Sequence, residues 1–128
     1  MPQAIAIVVD DSTATPRTFD LQNPAAGLGS TADWAYKVGD SPVAFPRYSA
    51  SARKTPNKAR AVTTKFVMPH AVVQDSLTVM VAQAEANINV TVPDAFPESK
   101  RDDFVALATG LFADALTKAM IRDGLPAT

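Results

Sequence analysis

Six cations fall between positions 47 and 65: Arg47, Arg53, Lys54, Lys58, Arg60 and Lys65, with no acidic residue among them. Ser49, Ser51 and Thr63 are interspersed with them, and Asn87, Asn89 and Thr91 follow further on. Cationic side chains hold a phosphate backbone by charge, while hydroxyls and amides can address base edges. These residue types together would suit a nucleic-acid surface. Glu85, in the same polar series as Asn87 and Asn89, counts against that reading unless it lies outside the contact patch. The competing reading is a solvated sheet face that merely avoids aggregation, and composition alone weighs the two equally.

Enzymatic chemistry has little to stand on. His70 is the only histidine, so there is no histidine cluster for a metal, and a packed or solvated loop residue is its simpler reading. Asp10 and Asp11 form a carboxylate pair with turn character, and Asp102 and Asp103 one that complements a helix N-terminus. There is no cysteine, which excludes disulfides, thiolate metal sites and cysteine nucleophiles. No glycine-rich phosphate loop, nucleophile elbow or zinc spacing occurs. No cofactor and no metal are expected.

The polar residues need elements to align them. Residues 78–93 alternate: Met80, Ala82, Ala84, Ala86, Ile88, Val90 and Val92 against Gln83, Glu85, Asn87, Asn89 and Thr91. Period 2 over this length predicts a strand of about 50 Å with one dry and one wet face. Residues 43–54 alternate too, with Arg47, Ser49, Ser51 and Arg53 opposite Tyr48, Ala50 and Ala52. Residues 59–68 return as the next strand, Thr63 and Lys65 on one face and Val62, Phe66 and Met68 on the other. If these strands share a sheet, their polar residues line one net-positive face. Upstream, 3–10 and 16–22 form an N-terminal hairpin (1–22 overall), and 31–38 is a strand carrying Trp34 and Tyr36 on the face of Ala32. Turns are expected at Asn23-Pro24 to Gly29-Ser30, Gly39-Asp40-Ser41-Pro42 and Thr55-Pro56-Asn57-Lys58. Residues 69–75 (Pro69, His70, Ala71, Val72, Val73, Gln74, Asp75) read as a connecting loop, more apolar than an idle loop and so suited to touching another chain.

A helical segment over 99–123 closes the chain. Ser99 and Asp102 are spaced as a capping box, and Gly124 and Pro126 end the helix. Phe104, Val105, Leu107, Ala108, Leu111, Phe112, Ala115, Leu116, Ala119 and Met120 form a wide apolar stripe. Gly110, costly in a helix interior, predicts a bend or break nearby. Strands followed by helix define an α+β fold with an antiparallel sheet, here one domain over 1–128 with its sheet in 31–92. One sheet and one helical segment leave open edges and surplus apolar surface, which predicts an obligate dimer. The composition is ordinary for a globular domain, with 47% hydrophobic and 20% charged residues and a net charge of −1. No apolar run is long enough to span a membrane. The start MPQAIAIVVDD has no basic leader or long h-region, so an intracellular, soluble protein without a membrane partner is expected.

The chain resembles the coat proteins of single-stranded RNA bacteriophages, the levivirus group. The residues that carry the likeness are RYSASARK at 47–54, Asn57 and Lys58 in the following turn, ANINVTVP at 86–93, and FVALATGLFADALTKAMIRDGLPAT at 104–128. The resemblance implies an interlocked dimer with one continuous sheet, each helical segment (Phe104, Leu107, Leu111, Phe112, Leu116) packing over the partner. It implies an icosahedral shell with sheets facing the RNA, contacts between dimers through 69–75, and assembly in the cytoplasm of a bacterial host. Genomic single-stranded RNA and a phage maturation protein would be further partners, and an RNA hairpin at the replicase start would be bound to repress translation. Carried onto this chain, Ser49, Ser51, Arg53, Thr63, Lys65 and Asn87 fit the family's RNA-facing positions; with Arg47, Lys58, Glu85 and Asn89 they make up the candidate RNA-binding set. Glu85 is the departure: it stands where some family members place a tyrosine that stacks on a base. That leaves binding mainly by charge, or a different hairpin, as alternatives. The leading expectation is a self-assembling coat protein. The alternative is a dimeric non-capsid RNA-binding module or translational regulator, distinguished by particle size.

Overall fold

A computed structural model describes residues 3–39 and 41–128. Met1 and Pro2 of the expected hairpin, and Asp40 of the expected turn, lie outside the described residues. The chain divides into two compact units, 1–93 and 94–128, each described by itself.

The first unit is a six-stranded sheet in sequence order: β1 Ile7–Asp10, β2 Pro16–Asn23, β3 Thr31–Ala35, β4 Arg47–Thr55, β5 Ala59–Gln74 and β6 Leu77–Pro93. All neighbours are antiparallel. The alternation that predicts β6 is realised over 17 residues, because each polar–apolar step matches the pleat. The strand expected from 43 begins only at Arg47. Pro42–Ala44 is a 3-10 turn instead, since Pro42 fixes φ at a helical value and Pro46 lacks the N–H a strand would use.

The expected loop at 69–75 is corrected: β5 continues through Gln74, and Gln74 pairs with Leu77. Only Asp75 and Ser76 turn the chain, both left-handed with φ of 50° and 65°, as in a tight two-residue hairpin. Pro69 is accommodated because β4 pairs no further than Val67, so β5 has an unpaired side there, where a proline can sit. A bulge between His70 and Ala71 leaves Val81 as the extra residue on β6. The polar–apolar alternation of β6 accordingly holds from Ala82 onward and is lost towards the turn.

One face of this sheet is apolar. Trp34 stands opposite Tyr48, Tyr48 opposite Phe66, and Phe66 opposite Ala86. The Trp34 and Tyr48 rings lie 5.3 Å apart, and Phe19 packs edge-on to Phe66 at 6.0 Å. Trp34 Nε1 donates to the Ile5 carbonyl at 2.8 Å, fastening the N-terminal segment. The hairpin of β1 and β2 is closed by Asp11. Its carboxylate accepts from Thr13 Oγ1 (2.7 Å), from the N–H groups of Thr13 and Thr15, and from Arg17 Nε (2.8 Å). These hydrogen bonds, Thr13's hydroxyl first, hold the Asp11 carboxyl well below the usual carboxylate range. Arg17 in turn donates to the Tyr36 hydroxyl at 3.1 Å, tying the hairpin to the segment after β3.

The second unit holds α1 Glu98–Phe112 and α2 Ala115–Asp123, bent by 48°. The expected capping box at Ser99 is not formed. Pro97 stands at the N-cap without a side-chain bond and Ser99 lies inside α1. The break expected near Gly110 falls at Ala113 and Asp114. Asp114 Oδ1 accepts from the Leu116 N–H at 2.9 Å, so a fresh N-cap, rather than the flexible glycine, sets its position. Gly124 caps α2 in the left-handed region, as expected. No single helix among the described residues is long and apolar enough to cross a membrane.

Burial in the single chain is slight. The buried side chains among the described residues are Ala32, Trp34, Ala35, Pro46, Ala59 and Ala61, and neither helix buries any. Ile88, on the apolar side of β6, remains exposed, and so does Met80, which the bulge sets opposite Ala71 on the other face.

Candidate nucleic-acid interface

Strand register decides which polar residues meet. Asp33, Ser49, Lys65 and Asn87 stand in one row across β3 to β6; Thr31, Ser51, Thr63 and Asn89 form the next. Arg53, Ala61 and Thr91 make a third row across β4 to β6, and Arg47, Val67 and Glu85 a fourth. Directly opposed residues share a face, so these rows tile the face opposite to Trp34, Tyr48 and Phe66. Of the expected RNA-facing residues, the sheet thus brings together Arg47, Ser49, Ser51, Arg53, Thr63, Lys65, Glu85, Asn87 and Asn89. Lys58 stands apart. It lies in the three-residue turn between Thr55 and Ala59, with φ of 53°, beyond the ends of the rows.

Glu85 lies inside the patch. Its Oε1 is 3.2 Å from Lys65 Nζ and accepts from Gln83 Nε2 at 3.3 Å. Lys65 faces Asn87 and Glu85 faces Val67, so the pair is a diagonal cross-strand contact, within reach of long side chains. Arg47 is steadied from the other end by a bond from Nη2 to the Pro42 carbonyl at 3.4 Å. An open recess of about 580 Å³ adjoins these residues, lined among others by Asn23, Asp33, Arg47, Ser49, Lys65 and Phe45. Asn23 and Asp33 are additions that the sequence reading missed. The signal was present, since alternation in β3 sets Asp33 opposite to the Trp34 face. The face therefore combines three cations (Arg47, Arg53, Lys65), two carboxylates (Asp33, Glu85) and a field of hydroxyls and amides.

Residues 69–75 form the distal part of the β5–β6 hairpin, with Val73 and Leu77 at its end strongly exposed, 73% and 68%. His70 is opposite Ala82, and no cluster able to hold a metal occurs among the described residues. Leu107, Leu111, Phe112 and Leu116 are exposed on the helices, and Phe104 packs against Phe96 with ring centroids 6.0 Å apart.

A six-stranded antiparallel sheet followed by two C-terminal helices is the fold of RNA-phage coat proteins. It matches a virus-like particle of Beihai levi-like virus 21 with TM-score 0.87 at 19% identity, covering 99% of both chains. It matches a virus-like particle of bacteriophage NT-214 with TM-score 0.85 at 20% identity, covering 99% of this chain and 100% of that one. The bacteriophage GA capsid protein matches with TM-score 0.73 at 23% identity, covering 93% and 94%. No curated protein sequence gives a significant match. The model of the levivirus coat protein family matches residues 2–126. The chain belongs to the levivirus coat protein family: it is a structural capsid protein and virion component, not an enzyme.

Proposed function

We propose that two copies of this chain form the stable unit, and that these dimers close into an icosahedral shell with the polar sheet face towards single-stranded genomic RNA. The observation that carries the RNA side is the register, which sets Ser49, Ser51, Arg53, Thr63, Lys65, Asn87 and Asn89 on one face of three adjacent strands. The dimer is supported by what one chain leaves uncovered. β6 is an edge strand of 17 residues, and unpaired edges of that length invite a partner strand. The apolar side chains of α1 and α2 are exposed, as is Ile88 on the apolar face. A second copy pairing along β6 and laying its helices on the apolar face would cover all three, and the domain over 1–128 would be completed between protomers.

The exposed end of the β5–β6 hairpin, Val73 to Leu77 with the apolar residues behind it, suits contacts between dimers. By resemblance, the same polar face would bind an RNA hairpin to repress replicase translation, a maturation protein would join the shell, and assembly would take place in the bacterial cytoplasm. The protein expressed alone in bacteria, examined by electron microscopy with absorbance at 260 and 280 nm on the same fraction, tests the reading. Uniform round particles with a nucleic-acid spectrum are expected; a small RNA-free dimer would leave the fold standing and remove the RNA-packaging role.

A further inference from the structure

Three cations lie on the polar face, but they are not equivalent. Lys65 already has an anionic partner at 3.2 Å in Glu85, whose Oε1 is also held by Gln83. Arg53 has no carboxylate partner among the described residues and stands in the row of Ala61 and Thr91. Both Lys65 and Glu85 sit on regular stretches of paired strand, with no register shift between Ala59 and His70, so the backbone fixes their proximity. Both side chains are also substantially exposed, 46% and 38%, so a ligand can reach them.

A phosphate approaching Lys65 must either displace Glu85 or accept a carboxylate as neighbour. A neutral pair releases no counterion when it meets a polyanion, whereas a free arginine does. We propose that Glu85 masks Lys65 from phosphate, so that backbone contact with RNA is carried from the Arg53 side of the face and the Lys65 corner contributes none. The inference rests on the reading of this face as the RNA side. It gives Glu85 a role of its own: an internal competitor that sets how tightly, and through which residues, the shell holds its RNA.

The test uses full-length protein freed from its particles and titrated with oligouridylate from about 50 to 200 mM salt, a range over which phosphate contacts change affinity steeply. Arg53→Ala should flatten the log K against log salt slope by about 0.7, the value per phosphate contact on a single strand. Lys65→Ala alone should weaken binding, because it leaves the Glu85 carboxylate unpaired on the face, without flattening the slope. Glu85→Gln, which keeps the shape, should tighten binding several-fold and steepen the slope by about 0.7, and adding Lys65→Ala to it should restore the wild-type slope. Lys65→Ala flattening the slope as much as Arg53→Ala, or Glu85→Gln leaving it unchanged, would overturn the masking role while keeping the RNA face. Equal, salt-independent binding by the wild type and every variant would instead overturn the RNA face, and the masking role with it.

Discussion

Asp11 shows how much one side chain can organise. It accepts hydrogen bonds from Thr13, Thr15 and Arg17 and so closes the β1–β2 hairpin, and Arg17 extends the link to Tyr36. The adjacent aspartates at 10 and 11 already imply a turn in the sequence; the partners of Asp11 do not, because the Arg17 contact depends on the hairpin register. Its carboxyl is held below the ordinary value of 3.8. A depressed folded-state pKa stabilises the fold above the unfolded value and loses that effect as pH falls through the folded one. Asp11→Asn should therefore lower the thermal midpoint near neutral pH, and the gap to wild type should narrow below about pH 3.8. A gap that stays constant down to pH 2 would remove the charge-dependent part of this account. Lys65 and Glu85 teach the same lesson. Both are visible in the sequence as members of a polar face, but their pairing is a diagonal across two strands, and no spacing along one strand reveals it.

At the scale of elements, alternation made the central strands legible. The wet positions of residues 47–53, 63–65 and 85–91 do share a face, because the two-residue period of a strand survives whenever pairing is regular. What was missed lies where local chemistry departs from usual signals. The β5–β6 turn uses Asp75 and Ser76 in the left-handed region without the glycine that ordinarily marks a two-residue hairpin, so the apolar run before it reads as a loop. Helix boundaries moved for a comparable reason: Asp114 supplies a cap that outweighs the flexibility of Gly110. A direct consequence concerns Ser76, whose φ of 65° costs about 1 kcal/mol for a residue with a Cβ. Ser76→Gly should stabilise the protein by up to about 1 kcal/mol, less the added entropy of the unfolded chain, measured as a shift in the denaturation midpoint. Destabilisation would show that the Ser76 side chain makes a contact that outweighs the strain.

For the whole molecule, the decisive feature is how little one chain buries. Leu107 and Leu111 are each 67% exposed and Ile121 75%, while full burial of such a side chain is worth about 1.5–3 kcal/mol. In the proposed dimer the missing cover comes from the second copy. Leu111→Asp should accordingly prevent formation of soluble dimer, seen as aggregate or small species by light scattering; a normal yield of particles would show that Leu111 faces solvent in the assembly. The sequence conveyed this incompleteness through the breadth of its helical stripe, but not its geometry, which in the proposed dimer is set by a second chain.

The central claim is that the polar face of β3 to β6 is the side that meets RNA, and it is tested most directly by ultraviolet cross-linking of RNA inside intact particles followed by mass spectrometry of the peptides. Adducts are predicted on the polar-face residues Arg47, Ser49, Ser51, Arg53, Thr63, Asn87, Asn89 and Thr91, with none on the helices at 98–123. Adducts confined to the helices, or to Lys54 and Arg60 on the opposite face, would contradict it.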